Sequence, residues 1–109
     1  MYVLNTHLDA GRSTSDRKVR ADQLNQILAK VEKVIDGEAL IVAGDLNLRW
    51  NDPQDSHLLE TFKKDLGLLD SFGGVKNRPS LDYILYRNGT DTTLEVLEVG
   101  LYPVFQYDN

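Results

Sequence analysis

The residues best suited to chemistry follow a short apolar run in the middle of the sequence. Gly-Asp-Leu-Asn, at positions 44–47, comes directly after residues 39–43, all of which are apolar. In extended backbone, Asp45 and Asn47 would point to the same side. A carboxylate beside an amide can hold a water molecule and a phosphate oxygen near a hard cation such as Mg²⁺, which prefers oxygen ligands. An Asx-type turn at the end of a strand is the alternative, and the spacing alone favours neither.

A histidine near the N-terminus is the second candidate. His7 follows the β-rich residues 2–4 and is flanked at alternate positions by Asn5 and Asp9. At a strand end, an imidazole can donate a hydrogen bond to a phosphoryl oxygen or help to position a transition state. A bond to a neighbouring backbone group is the commoner outcome for a lone histidine. The other histidine, His57, has no cluster of ligand-type residues beside it, so we predict that it lies on the surface.

An acidic residue, Asp82, lies within the otherwise apolar run of residues 81–85. A carboxylate in such a place either caps the strand end in solvent or is buried with a partner, commonly a histidine or an arginine. No good histidine candidate remains in the sequence once His7 is assigned to the first cluster. The sequence therefore predicts that Asp82 is one half of a pair.

Two helices are predicted to position these residues. Apolar side chains recur every three or four positions between residues 19 and 35, which predicts a long amphipathic helix that ends at Gly37. Polar residues at positions 13–16 are available to cap its start. A second helix is predicted from a cap at Ser56 to Gly67, with its apolar residues on one side.

The strands are predicted from β-rich or apolar runs between turn signals. They fall at residues 2–8, 39–43, 82–86 and 94–99, and the last two flank the turn dipeptide at 88–89, which predicts a hairpin. Residues 68–78 are expected to be irregular. This order of elements indicates an α/β layered fold in which the strands flanking the long helix are neighbours. His7 and Asp45 would then both lie at carboxyl ends of strands, where sites are favoured.

The composition is that of one small globular domain. The chain has 109 residues, of which 41% are hydrophobic and 27% charged, with no cysteine and a net charge of −5. No apolar run is long enough to span a bilayer, and no basic segment precedes residues 2–4, so no signal peptide is predicted. The acidic balance argues against sequence-blind binding of nucleic acid. The basic residues between positions 12 and 20 form either a local phosphate-facing cluster or, more commonly, a solvated helix start.

Three segments, taken together, resemble the motifs of the endonuclease/exonuclease/phosphatase superfamily in order and separation. They are Asn-Thr-His-Leu at 5–8, Gly-Asp-Leu-Asn at 44–47 and Leu-Asp-Tyr-Ile at 81–84. Residues 9–11 and 104–108 are most similar to the sphingomyelinase-like branch. The resemblance covers nearly the whole chain and implies the C-terminal half of a four-layer α/β sandwich, with one mixed sheet and two helices on one face. Residues 1–109 would then be a partial domain without its N-terminal half and its final Ser-Asp-His segment.

The resemblance also implies a role for each candidate. His7, Asp45, Asn47 and Asp82 would be catalytic: His7 contacts the scissile phosphate, Asp45 orients or activates the attacking water, and Asp82 fixes a catalytic histidine. Asn5, His7 and Asn47 would bind the phosphate. Asp45 and Asn47 would contact Mg²⁺, or another hard divalent cation such as Mn²⁺ or Ca²⁺, whose main glutamate ligand belongs to the missing half. The implied reaction is in-line attack of water on a phosphodiester.

Three hypotheses follow for function. The first is metal-dependent phosphodiester hydrolysis by a larger catalytic domain of the sphingomyelinase-like type, with the isolated chain inactive. The second is a nuclease of the same superfamily, so that a lipid head group and a nucleic acid are both candidate substrates. The third is a non-catalytic half-domain that pairs with itself or with a separate N-terminal half through an exposed apolar sheet face. The compartment is left open by the sequence.

Overall fold

A computed structural model describes residues 1–34, 37–72 and 81–97 of the chain. Its elements are, in order, β1 (Tyr2–His7), α1 (Thr14–Val34), β2 (Leu40–Asp45), α2 (Pro53–Leu66), β3 (Leu69–Asp70) and β4 (Asp82–Arg87). The strands form one four-stranded sheet in the order β1-β2-β4-β3. β1 and β2 are parallel, whereas β4 is antiparallel to both β2 and β3. The predicted α/β fold with one mixed sheet and two helices is confirmed.

Both helices pack on the same face of this sheet. The buried core joins α1, α2 and alternate strand residues, and it includes Leu24, Val31, Leu40, Val42, Leu59, Phe62, Tyr83 and Leu85. Each such side chain stabilises the fold by roughly 1.5–3 kcal/mol when fully buried. The opposite face, called here the open face, is covered by neither helix, and Val3, Leu69 and Ile84 on it are 57%, 56% and 48% exposed. The sheet therefore has one buried and one accessible surface.

The start of α1 is fixed by a reciprocal cap. The Ser13 hydroxyl accepts a hydrogen bond from the Asp16 backbone N–H, and an Asp16 carboxylate oxygen accepts one from the Ser13 N–H. These bonds satisfy donors that the first helical turn leaves free. The hydrogen bond from the Ser13 side chain is also the main reason that the pKa of Asp16 lies below its usual value. The prediction for the helix is confirmed up to Val34, while Ile35 lies outside the described residues.

The second helix begins earlier than predicted, so the assignment of Ser56 as its cap is wrong. Asp52 is the cap: its side chain accepts hydrogen bonds from the backbone N–H groups of Gln54 and Asp55, and Pro53 occupies the first turn. Proline suits this position because its fixed φ is helical and it lacks an N–H that would need a partner. The predicted end at Gly67 is confirmed, since this glycine is left-handed with φ 66° and caps the helix.

The predicted hairpin between residues 82–86 and 94–99 is wrong where the structure describes it. Residues 94–97 form no strand, and positions 98 and 99 lie outside the described ranges. Both edges of β4 next to the turn are already paired, because Tyr86 is opposite Ile41 of β2 on one side and Leu69 of β3 on the other. The short strand β3 lies in a region that was expected to be irregular. Among the described residues, no helix is long and apolar enough to cross a bilayer.

Candidate functional site

Three of the predicted site residues form one row across the sheet. Parallel pairing places His7 opposite Asp45, and antiparallel pairing places Asp45 opposite Asp82. The His7 Nε2 atom lies 3.7 Å from an Asp45 carboxylate oxygen, and these side chains are 75% and 33% exposed. Asn5 lies two residues before His7 in β1, so its exposed side chain is on the same face of the sheet. The row His7-Asp45-Asp82 is thus accessible from the open face.

Gly44 allows the two strands to approach one another at this row. It has φ +135°, a conformation that side chains of L-residues rarely adopt, and a Cβ added there would lie 1.8 Å from the Thr6 carbonyl oxygen. Thr6 is its pairing partner in β1, directly before His7. Any side chain at position 44 would therefore push β1 and β2 apart beside His7 and Asp45.

The backbone after Asp45 is not extended, so the expectation that Asp45 and Asn47 share one side on this ground is wrong. Asn47 is left-handed with φ 51°, and its backbone N–H donates a 2.9 Å hydrogen bond to Oδ1 of Asp45. This is the Asx-type turn that the sequence allowed. The Asn47 side chain is buried, and its Nδ2 donates a 2.7 Å hydrogen bond to the Leu8 carbonyl. The phosphate- and metal-binding roles of Asn47 remain predictions.

The charges of the row fit a site that handles a phosphate or a cation. Asp45 and Asp82 are opposed on neighbouring strands, where like charges destabilise a sheet. Mg²⁺ takes one or two carboxylates from a protein and completes its shell with water and substrate phosphate. The described residues contain no group of three or more His, Cys, Asp or Glu side chains that could hold a metal ion. The described residues therefore do not build a complete metal site, and the predicted ligands Asp45 and Asn47 fit such a cation only in part.

The arginines near the start of α1 bind within the protein instead of forming a phosphate-facing cluster. Arg20 is completely buried, and its Nη1 donates to the Asp9 and Gly11 carbonyls at 3.0 and 2.7 Å. Arg17 donates to side chains at the start of α2. Arg12 pairs with Asp55, which is also completely buried. These contacts were not predicted from the sequence. The available signal was the position of Arg20, which lies one turn before the apolar residues of α1 on the same side of the helix, because a charge buried there requires a partner.

His57 is exposed on α2, as predicted. Its side chain belongs to a surface groove between the helices, on the side of the sheet opposite the row. It has no part in the arrangement around His7, and it provides a matched control for experiments on that residue.

Comparison with known proteins identifies relatives by sequence and by fold. No family model matches the sequence. Sphingomyelinases of Mycobacterium bovis and Mycobacterium tuberculosis are 30% identical to it over 116 aligned positions, which cover 92% of this chain. The chain is similar to sphingomyelinases. It spans only 22% of the length of these curated relatives.

Two solved structures of beta toxin from Staphylococcus aureus share the fold. A β-hairpin deletion mutant matches with a TM-score of 0.57 and 21% identity, covering 98% of this chain and 50% of the toxin chain. A crystal structure described as beta toxin 275–280 matches with a TM-score of 0.53 and 26% identity, covering 77% of this chain and 37% of the toxin chain. Together with the sequence relatives, these structures support the predicted superfamily and its sphingomyelinase-like branch.

Proposed function

We propose that this chain forms the phosphate- and water-handling part of the active site of a sphingomyelinase-like phosphodiesterase. The row His7-Asp45-Asp82, which crosses three adjacent strands on an accessible face, is the observation that carries the proposal. The substrate would be the phosphodiester of a phospholipid head group. The likeness to sphingomyelinases favours a lipid, and the net charge of −5 disfavours a polynucleotide, whose binding depends on Lys and Arg.

The contacts of Asp45 suit the proposed handling of water. Its Oδ1 accepts the Asn47 N–H, which fixes the orientation of the carboxylate, while its Oδ2 faces His7. In the proposed reaction, Asp45 orients the water whose oxygen attacks phosphorus, and His7 donates a hydrogen bond to a phosphoryl oxygen as negative charge grows there. The bond from phosphorus to the leaving alcohol oxygen then breaks, the proton released by the attacking water passes to solvent by way of the Asp45 carboxylate, and the leaving oxygen takes up a proton from solvent. Asn5 and Asn47 would add phosphate contacts from β1 and from the turn.

A divalent cation such as Mg²⁺, Mn²⁺ or Ca²⁺ is part of this proposal. When bound, it would neutralise charge on the phosphate. Asp45 and Asn47 would supply a carboxylate and an amide oxygen to it, Asp82 would fix a catalytic histidine, and the remaining ligands would come from the substrate, water and protein groups beyond the described ranges. We therefore propose that residues 1–109 act as part of a larger catalytic domain and that the isolated chain has no measurable turnover.

Transplantation into a relative tests the proposal directly. The segment of a mycobacterial sphingomyelinase that aligns with this chain is replaced by residues 1–109, and release of the head group from sphingomyelin vesicles is measured with Mg²⁺ present. We expect a hydrolytic chimera in which His7→Asn lowers the rate about 10²-fold or more, the usual contribution of such a catalytic group. His57→Asn is the matched control and should leave the rate unchanged.

Two outcomes would contradict the proposed function. One is a folded chimera that hydrolyses neither sphingomyelin nor a generic phosphodiester such as bis(p-nitrophenyl) phosphate. The other is an active chimera that is insensitive to His7→Asn. Cleavage of plasmid DNA in preference to both other substrates would instead select the nuclease alternative.

The apolar open face supports a second proposal, that it docks on a further protein surface. Val3, Leu69 and Ile84 are about half exposed there, and a contiguous exposed apolar surface is typical of an association site. We propose a second copy of the chain as the occupant, which would take the place of the complementary N-terminal half of a larger domain. Light scattering of the isolated chain should show association that Ile84→Glu abolishes. Val19→Glu, at a comparably exposed site on α1, should not change it, and a monomeric parent protein would exclude the second copy.

A further inference from the structure

The two loops that carry the site are bound to one another around Asn47. The β1 loop, residues 8–12, follows His7, and the β2 loop, residues 46–50, follows Asp45. Asn47 donates its side-chain amide to the Leu8 carbonyl, and Arg12 of the β1 loop donates back to the Asn47 carbonyl. Both polar ends of Asn47, the amide and the main-chain carbonyl, are thus used to hold the loops together.

Asp55 binds both loops from the first turn of α2. One of its carboxylate oxygens accepts a hydrogen bond from the Arg12 guanidinium and a 3.0 Å bond from the Arg49 backbone N–H. The side chain is completely buried, so its charge requires partners of this kind. Its place near the positive end of the helix dipole adds to the stabilisation of the carboxylate. Asp55 therefore orients Arg12 toward Asn47.

Arg20 fixes the other side of the same arrangement. Its Nη2 atom lies 3.7 Å from the second carboxylate oxygen of Asp55, and both side chains are completely buried. Its Nη1 binds the carbonyls of Asp9 and Gly11 in the β1 loop. Breaking a buried ion pair by removing one partner is strongly destabilising, because the other charge remains in the interior. The pair thus anchors the β1 loop to both helices.

We infer that Asp55 is a positioning residue of the proposed phosphodiesterase site, acting through Arg12 on Asn47 and through Asn47 on Asp45. The last link is the hydrogen bond from the Asn47 N–H to Asp45 Oδ1. Asn47 donates this bond from a left-handed conformation, which asparagine adopts more readily than most other non-glycine residues. Without Asp55, Arg12 has no fixed direction, the Asn47 carbonyl is released, and Asp45 loses the donor that aims its other oxygen toward His7.

NMR of the 109-residue protein tests the series of contacts from Asp55 to Asp45 and requires no enzymatic activity. The variant is Arg12→Gln, since Arg12 is partly exposed and the change leaves Arg20 and Asp55 to pair with one another. Hydrogen exchange of the Asn47 amide should become about tenfold faster or more, as expected when a hydrogen bond to a charged group is lost. The His7 ring nitrogen signals should shift as well.

Arg17→Gln is the matched control. Arg17 is exposed to the same degree and is also paired with a carboxylate, but its partner is Asp52, whose side chain otherwise caps α2 and hydrogen-bonds to neither Arg12 nor Asn47. Global stability of both variants is measured by urea unfolding, so that a general loosening is recognised. Equal effects of the two variants on the Asn47 and His7 signals, or none in Arg12→Gln, would overturn the inference. Asp55→Asn should reproduce Arg12→Gln, and Arg12→Gln alone decides the matter where Asp55→Asn does not fold.

The consequence for catalysis is read in the chimera and rests on the proposed function. Arg12→Gln should lower kcat, because Asp45 is misaligned, and it should raise KM only as far as the proposed phosphate contact of Asn47 is weakened. A normal kcat despite altered Asn47 and His7 signals would refute the catalytic relevance of the contacts. A chimera without activity would count against the proposed function, whereas the NMR result would stand independently.

Discussion

Replacing Gly44 by alanine is the sharpest test of how β1 and β2 meet at the row. The backbone at Gly44 has φ +135°, and the added Cβ would lie 1.8 Å from a main-chain oxygen, that of Thr6, which cannot swing away as a side chain would. Backbone strain of this kind costs of order 1–3 kcal/mol. Relief of the clash requires the strands to separate, at a cost of about 1 kcal/mol for each hydrogen bond that is lost. We expect Gly44→Ala to lose about 3 kcal/mol or more.

Gly67→Ala supplies the comparison within the same chain. Gly67 is also left-handed, with φ +66°, but its Cβ would meet no atom within 4 Å. Only the conformational cost remains there, about 1 kcal/mol. A small domain has a total stability of roughly 5–15 kcal/mol, so both variants can be studied in the folded state.

Urea unfolding monitored by circular dichroism, with a common slope for both variants, gives the two losses of free energy. The reasoning requires Gly44→Ala to lose at least about 2 kcal/mol more than Gly67→Ala, the excess that strand separation adds. Losses equal within about 0.5 kcal/mol would refute it, because the extrapolation error of the method is of that size. Displaced NMR signals of His7 in the folded Gly44→Ala variant would show that the separation extends to the row.

Two further predictions concern charge. Desolvation raises the pKa of Asp52, but the hydrogen bonds from the Asp55 and Gln54 N–H groups and the charge of Arg17 outweigh it, so the pKa lies below its usual range. The stabilisation from this cap is fully present above the unfolded pKa and is lost as the pH falls through the lowered pKa of the folded state. Asp52→Ala should therefore lower the urea midpoint more at pH 7 than at the lowest pH at which the protein is still folded, and equal losses at the two pH values would contradict this. When Mg²⁺ is titrated into the isolated chain, calorimetry should show no saturation below about 1 mM, because the protein supplies too few ligands. Tighter binding that is removed by Asp45→Asn would contradict the conclusion that the metal site is incomplete.

The pairing of β1 with β2 and the proximity of His7 to Asp45 were predictable because both follow from short-range signals. Apolar runs at the beginning and middle of the sequence mark β1 and β2, and the long helix between them makes the strands parallel neighbours, so that His7 and Asp45 end at one edge. The position of Asp82 opposite Asp45 depends on the antiparallel pairing of β4. Its motif indicated that Asp82 belonged to the site, but no pattern in the sequence gives that register.

The remaining features depend on tertiary contacts that local patterns do not encode. Ser56 and Asp52 are both acceptable caps by residue type, and Pro53 decides between them because it favours the first helical turn. The turn dipeptide at 88–89 indicated a hairpin, yet Gly89 serves close packing: its Cβ would lie 2.5 Å from the Ala39 backbone nitrogen. The burial of Asp55 was unpredictable, since a carboxylate in a helical first turn is usually solvated.

The Asx turn and the proposed active site, which the sequence offered as alternatives, use the same atoms of Asp45 in this protein. One oxygen of Asp45 is occupied by the Asn47 N–H, and it is this bond that leaves the other oxygen facing His7. A carboxylate free at both oxygens would sample several rotamers and orient water poorly, because misplacement by about 1 Å costs large factors in rate. The turn is therefore the means by which Asp45 is aimed. In the inferred arrangement, its stability derives from the buried charges of Arg20 and Asp55, so that residues on the two helices control the row from the helix-covered side of the sheet.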